Sequence, residues 1–485
     1  MGAGHAPAHH DRNGPAVPLV VDLDGTLVRT DLLVESVFLL IRQSPARILQ
    51  LPLWLARGRA HFKQQLAKRV LPDAHTLPYH PELVALLHEE RARGRPLVLA
   101  TAADQRVARA VAVEIDIFTE ILASDGQTNL GGENKRKQLV ARYGERGFDY
   151  VGNSYKDLLV WRSARSALLA RAEPGLAAAV ARVTQVGRVF EEARRDPRAY
   201  LEALRPHHWL KNLLVLVPLI AAQKPYDPGL LMQALLAFVA FTLCASSVYL
   251  FNDLLDLGAD RQHPHKRQRP LASGRLPLGH VVALIPLLLA AALFVGLWLP
   301  PLFLPVLGLY FALTLAYSLR LKDVAILDVL ILAAGYTLRV MAGSLAVGIR
   351  PSPWLLAFCI FLFFSLALVK RYTELMVMRA IEGQRTHARG YLLEDSELLA
   401  ALGVASGYLS VLVLALHITS DLAHRFYRNY EYVWLVCILL LYWISHLWLQ
   451  AHRRQMHDDP LVFAGRDRLS RVLILLMLLL LALAI

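Results

Sequence analysis

From Trp209 onward the chain alternates long apolar stretches with short polar loops. Crossing the hydrocarbon of a bilayer takes about 20 apolar residues, fewer where neighbouring helices shield a segment. Nine stretches meet that demand as candidate spans: 208–223, 229–251, 278–299, 301–318, 324–348, 353–369, 398–418, 431–450 and 468–485. The first is short enough to be re-entrant. Pro300-Pro301 alone divides 278–318, which is therefore either a tight hairpin or one kinked helix.

Composition agrees. Of 485 residues, 55% are apolar and 19% charged, and mean hydropathy is +0.40. Those values exclude a wholly cytosolic enzyme and a disordered chain. Cys244, Cys359 and Cys437 all lie in apolar runs, which excludes a disulfide scaffold or a Cys-rich zinc site. The 52 Lys and Arg against 39 Asp and Glu leave a net charge of +13. The loops after spans two, four, six and eight carry about 17 of the basic residues, the other loops about four, so the positive-inside rule places the first set in the cytoplasm. An odd number of spans then puts the N-terminal half on the cytoplasmic face of the inner membrane. Topology accounts for most of the excess charge, and no nucleic-acid partner is needed.

The organisation expected is a disordered tail over 1–15, an α/β module over 16–189, a charged helical linker over 190–206 and an all-α membrane domain over 207–485. The tail is polar, with no apolar core of a secretory signal and no myristoylation pattern. There is no internal repeat. The sequence leaves the oligomeric state open, a homo-oligomer included.

In the α/β module, Ala16–Asp22 reads as a buried strand that runs into DLDGTL, residues 22–27. Residues two apart on an extended chain point the same way, so Asp22 and Asp24 face one ligand. Two such carboxylates repel unless a cation lies between them. Phosphate-monoester hydrolysis is slow enough uncatalysed that splitting it through an aspartyl-phosphate is an advantage. Further along come a second apolar strand ending in Thr101, a segment ENKRK that offers Lys135 or Lys137, and a third strand and turn, DYVGNS, followed by Asp157.

In this order and spacing the four segments resemble the motifs of the haloacid dehalogenase (HAD) superfamily, over roughly residues 16–185. The resemblance implies an α/β Rossmannoid fold with a helical cap between the first two motifs. It implies Asp22 as nucleophile, Asp24 as general acid/base, and Thr101 with Lys135 or Lys137 as phosphate ligands. The implied Mg²⁺ set is Asp22, Asp24, Asn153 and Asp157. The fourth motif departs from the usual GDS: it reads Gly152-Asn153-Ser154. Asn offers a carbonyl oxygen to a hard cation but no charge.

Span two ends in YLFNDLLDLGADRQHPHKRQRPLASG, residues 249–274. On a continuous helix Asp253, Asp256 and Asp260 form one stripe with Asn252 beside it. Carboxylates in line at a membrane boundary call for a divalent cation, and Mg²⁺ prefers a few carboxylates plus substrate phosphates.

This segment resembles the first aspartate motif of the UbiA superfamily of intramembrane prenyltransferases. The second motif falls in YSLRLKDVAILD, with Tyr317, Lys322, Asp323 and Asp328. Its aspartates are five apart where aromatic-ring prenyltransferases carry them four apart. The segments LRPHHWLKN, NDLLDLGADRQHPHKRQRPLASG, YSLRLK, LVKRYTEL and GRDRL resemble the decaprenyl-phosphate phosphoribosyltransferase branch. That resemblance implies a donor, phosphoribosyl diphosphate, whose diphosphate is held by Mg²⁺, and an acceptor, a polyprenyl phosphate. Lys211, Asn212, Lys266, Arg267, Arg269, Lys322, Lys370 and Arg371 are the groups suited to these anions. Arg339 lies inside span five, where a charge costs at least about 2.5 kcal/mol and usually faces a polar cavity. The product retains a 5-phosphate, a substrate for a phosphatase on the same chain. Two other enzyme readings remain open: a prenyltransferase of an aromatic acceptor, and an inactive or regulatory phosphatase half. A non-enzymatic lipid carrier leaves both aspartate sets unexplained.

Overall fold

The computed structural model describes residues 17–190, 196–222, 227–382, 390–420, 427, 429–456 and 459–484. The expected tail, residues 191–195 of the expected linker, and the loop cations Lys224, Arg385, Arg389, Arg425 and Arg428 lie outside them. The chain divides into two compact units: Met1–Ala203 with Asp253–Val282, and Leu204–Asn252 with Ala283–Ile485.

The first unit is built on six parallel strands: β1 (Leu19–Val21), β2 (Leu97–Asp104), β3 (Glu120–Ser124), β4 (Asp149–Gly152), β5 (Ser166–Leu169) and β6 (Gln185–Val189). Their order is β3-β2-β1-β4-β5-β6. Both faces of such a sheet are covered, which is why β1 is apolar without alternation. Its neighbours still alternate in destination. Leu19 and Val21 join Leu97, Leu99 and Leu83 on one face, whereas Val20 joins Val98, Tyr150 and Trp161 on the other. The chain winds outward from β1 to β3 and then returns to β4 on the other side of β1. The strand order reverses there, and the crevice beyond the carboxyl ends of β1 and β4 is where such sheets bind ligands.

Between β1 and β2 the chain inserts the helices Leu32–Gln43, Leu51–Ala56 and Arg59–Ala67. Leu40, Trp54, Leu66 and Val70 give this insert its own small core, the helical cap expected from the sequence. Asp31 starts it by accepting the Leu33 and Val34 N–H groups.

The second unit is helical. Among the described residues six helices, counting that of span two from Pro228 to Leu255, are long and apolar enough to cross a membrane: Pro228–Leu255, Leu278–Gly296, Leu327–Ala346, Pro353–Val377, Leu393–Ile418 and Glu431–His452. Phe303–Leu319 and Arg468–Ala484 are shorter, at 17 residues each. The expected count of nine continuous spans is thus not established. The clearest departure is 208–223. It forms a 3-10 helix, Pro206–Leu216, and then a short α-helix, Val217–Ala221. Pro218, which has no N–H to donate, sits in the first turn of the second piece. Pro300-Pro301 makes a hairpin, since one helix ends at Gly296 and the next begins at Phe303.

Candidate active sites

The first site forms at the carboxyl ends of β1 and β4. Asp22 follows β1 directly. Lys135, in the first turn of helix Glu133–Tyr143, reaches it with Nζ 2.7 Å from Oδ1. Lys135 is buried while Lys137 is exposed, because on a helix only one of two residues two apart can face the sheet. Lys135 also donates to the Tyr150 hydroxyl at 3.0 Å, and Tyr150 donates to Asp157 Oδ1 at 3.0 Å. Asp157 Oδ2 accepts the Asn153 N–H, the Ser154 N–H and the Ser154 hydroxyl at 3.1–3.2 Å. Four protein donors therefore converge on Asp157. It shapes the turn after β4, and its charge is near enough to raise the Asp22 pKa.

Asp24 accepts the Leu32 N–H at 2.8 Å through Oδ1. The hydroxyl of buried Thr26 donates to Asn153 Oδ1 at 3.3 Å. Gly25 has φ +75°, and a Cβ there would lie 2.3 Å from Asn153 Nδ2, so the DxDGT turn closes onto Asn153 only with glycine. Thr101 is fully buried within β2 rather than at its end, and its hydroxyl accepts the Ala103 N–H. Burial, then the neighbouring Asp31 charge, push the Asp24 carboxyl up to about 7. Burial raises Asp22 as well, with Lys135 opposing it.

Sequence reasoning missed Lys63 and Tyr150. Lys63 comes from the cap, and its Nζ bonds the Ala102 carbonyl at 2.6 Å and Asn129 Oδ1 at 2.8 Å. Burial lowers its pKa, against the attraction of Asp24. A lysine in a cap helix carries no sequence signal of such a role.

The span-two motif takes a shape the periodicity did not anticipate. The helix stops at Leu255 and resumes at Leu257, leaving Asp256 as a cap between two axes. The expected single stripe is therefore split. Asp253 and Asp260 are both buried and share Arg269, whose Nη1 lies 3.4 Å and 2.6 Å from their carboxylates. Asp256 pairs with Arg42 at 3.2 Å. Lys266 and Arg267 lie on the next 3-10 turn, half-buried and exposed respectively.

In the helical unit Asn252 and Tyr317 are half-buried and Lys322 is buried. Arg339 is buried at the centre of its helix. It donates to Asn212 Oδ1 at 2.9 Å, the Gly335 carbonyl at 2.7 Å and the Tyr310 hydroxyl at 2.8 Å. Its guanidinium also lies over the rings of Tyr310 and Tyr336. Lys211 Nζ is 2.6 Å and Lys370 Nζ 3.8 Å from Asp459, which Tyr336 also approaches. Asp459 gave no sign in the sequence, being one loop aspartate among several. Asp328 and Arg371, both expected to meet substrate, are fully buried and pair with each other at 2.5 Å; the Tyr391 hydroxyl donates to Asp328 at 2.6 Å.

Residues 213–474 match the model of the UbiA prenyltransferase family, and residues 19–162 that of the haloacid dehalogenase-like hydrolases. The chain belongs to the UbiA prenyltransferase family. Its UbiA domain is preceded by a HAD domain, and its long apolar helices make it a multi-pass membrane protein. An uncharacterized protein of Sinorhizobium fredii, y4nM, is 35% identical over 460 residues, which cover 94% of this chain and 88% of that protein, so the similarity runs through both domains. Nodulation protein NoeC of Azorhizobium caulinodans is 37% identical over 283 residues, 57% of this chain and 90% of that one. Decaprenyl-phosphate phosphoribosyltransferase of Mycolicibacterium smegmatis is 41% identical over 181 residues, 36% of this chain and 57% of that enzyme. The match to the latter thus spans little more than half its length.

Mg²⁺ is the ion both families imply. Among the described residues no three His, Cys, Asp or Glu side chains gather as a cation cage, so the expected three-carboxylate clamp on span two is not formed. One or two carboxylates with the rest of the shell from substrate phosphates and water is the usual Mg²⁺ arrangement. Asp22 with Asp24 fits that pattern; on span two the structure groups Asp253 with Asp260 about Arg269 and sets Asp256 against Arg42. In the HAD site the mutual repulsion of Asp22 and Asp24 is what a divalent ion relieves.

Proposed function

We propose that the UbiA domain transfers 5-phosphoribose from phosphoribosyl diphosphate to a polyprenyl phosphate, releasing diphosphate, and that the HAD domain then removes the 5-phosphate. The observation that carries the reading is the density of buried and half-buried cations in the UbiA domain, with Lys211 and Lys370 flanking Asp459 and Arg339 beside them. Such a set suits a small polyanionic donor and an anionic acceptor. It exceeds what one prenyl diphosphate and a single aromatic carboxylate call for. The likeness to a phosphoribosyltransferase points the same way.

An oxygen of the lipid phosphate attacks C1 of the ribose as the bond from C1 to the diphosphate oxygen breaks. The acceptor is already anionic and needs no general base. Asp253 and Asp256 would hold a Mg²⁺ ion, which when bound would withdraw charge from the departing diphosphate. Arg269 and Lys266 neutralise the rest; in the helical unit Lys211, Lys370 and Arg339 are suited to the charge of an anionic substrate. In the HAD domain an Asp22 oxygen attacks the 5-phosphorus while protonated Asp24 gives its proton to the leaving ribose oxygen. Asp24, now a base, takes a proton from the water that releases inorganic phosphate from Asp22. A carboxyl with a pKa near 7 can serve in both directions. Lys135 screens the charge on Asp22 and the transferred phosphate. The basic loops support a HAD domain on the cytoplasmic face of the inner membrane.

Membranes containing the protein, given labelled phosphoribosyl diphosphate and polyprenyl phosphate, should form a labelled lipid. Prenyl diphosphate with 4-hydroxybenzoate should give nothing. The reverse outcome would replace this reading with prenyl transfer to an aromatic acceptor.

A further inference from the structure

The loop that carries the first aspartate motif of the UbiA domain belongs to the same compact unit as the HAD domain. Three contacts bind it there. Glu35 and Arg261 form a two-pronged ion pair, Nη1 to Oε2 at 2.9 Å and Nη2 to Oε1, with both side chains only 5% exposed. Glu35 also accepts the Thr30 hydroxyl, and Arg261 Nε donates to the Ala272 carbonyl at 3.1 Å. Arg171 Nη1 donates to the Gly274 carbonyl at 2.9 Å and to the Arg29 carbonyl at 3.3 Å. Gly274 has φ +71°, and a Cβ on it would lie 2.7 Å from the Arg29 carbonyl oxygen, so the two backbones approach as closely as glycine permits. The third contact is Arg42, whose Nη1 lies 3.2 Å from Asp256 Oδ1 and 3.3 Å from the Leu255 carbonyl.

Glu35 and Arg42 sit on one helix, Leu32–Gln43, in its first and last turns. That helix begins at the Leu32 N–H, which Asp24 accepts. A single rigid element thus starts at the phosphatase acid and ends on a carboxylate of the transferase motif. Asp256 lies at the break between the two helices, its carbonyl accepting the Asp260 N–H at 2.8 Å. An arginine bonded both to its side chain and to the preceding carbonyl helps fix the direction of its carboxylate.

We propose that the HAD domain is a structural part of the transferase: it docks the first aspartate motif, and Arg42 is a positioning residue that aims Asp256. This rests on the assignment of that motif to the donor diphosphate. A group that orients a metal-holding carboxylate is typically worth about 10–100-fold in metal affinity or activity.

The test uses the full chain in lipid nanodiscs with Arg42→Ala, Arg42→Lys, Glu35→Arg, Arg261→Glu and the double reversal of the last two. Hydrogen–deuterium exchange over residues 257–275 is read without substrate. The Michaelis constant and turnover number for phosphoribosyl diphosphate are read at saturating lipid, and hydrolysis of a soluble phosphate monoester reports an intact HAD domain. Arg42→Ala should speed exchange across 257–275 and raise the donor Michaelis constant by about tenfold or more. Turnover and monoester hydrolysis should change little, and Arg42→Lys should recover most of the loss. Either single reversal should loosen the loop and the double reversal should restore it. Unchanged exchange and an unchanged donor constant in Arg42→Ala would overturn the proposal. If the wild type transfers nothing from phosphoribosyl diphosphate while Arg42→Ala still loosens the loop, docking stands and the donor assignment falls.

Discussion

The Asp24 carboxyl, held up to about 7 by burial and by Asp31, makes the phosphatase sensitive to pH in a calculable way. The group must be protonated to donate to the leaving oxygen. With a midpoint near 7 the protonated fraction is about 0.9 at pH 6 and about 0.1 at pH 8, so turnover limited by aspartyl-phosphate formation should fall about tenfold across that interval. Two charges around it set the midpoint in opposite directions. Asp31 raises the Asp24 pKa and Lys63 lowers it. Asp31→Asn keeps an oxygen to cap the Leu33 and Val34 N–H groups but removes the charge, so the midpoint should move to lower pH. Lys63→Met removes a cation and should move it to higher pH. A charge–charge contribution of about 1 kcal/mol corresponds to about 0.7 pH unit, the size of shift expected in each case. The assay is release of inorganic phosphate from a soluble monoester at saturation, from pH 5 to 9, in wild type and both variants. The substrate's own second ionisation, near about pH 6, shapes only the acid limb. Turnover that stays level from pH 6 to 9, or two variants that shift the midpoint the same way, would refute the role given to Asp24.

Asp22→Asn keeps the shape of the nucleophile but cannot form an aspartyl-phosphate; the lipid product should accumulate with its 5-phosphate, and thin-layer mobility identical to the wild-type product would remove the HAD domain from the pathway. Arg269→Ala should raise the Michaelis constant for the sugar donor more than that for the lipid, because Arg269 joins Asp253 to Asp260; equal effects would place it outside the donor site. Asp328→Asn leaves the buried Arg371 guanidinium with half-exposed Glu374 as its remaining counter-charge and should cost about 3 kcal/mol; an unchanged thermal midpoint in detergent would show that the pair contributes no stability. All three native cysteines are buried, so a cysteine placed at exposed His265 should be labelled by a membrane-impermeant maleimide in inside-out vesicles and not in right-side-out ones. The opposite pattern would invert the topology.

Short-range chemistry was legible in the sequence alone. The turn DLDGTL after an apolar run needs only local geometry to bring Asp22 and Asp24 together, and Gly25 there is demanded by a backbone angle. The apolar stretches beyond Trp209 called for membrane helices because hydrocarbon offers backbone groups no other partner. Long-range pairing was not legible. Lys135 and Lys137 read alike until a sheet lay on one side of their helix. Asp253, Asp256 and Asp260 read as one stripe until the helix broke at Asp256. Asp328 and Arg371 read as substrate ligands until packing made them partners of each other. Asp459 and Arg42 carried no signal at all, since they lie far along the chain from Lys211 and Asp256, the groups they meet. Residue type and spacing determine what a segment can do; which charge meets which is decided by the burial that leaves each one no other neighbour.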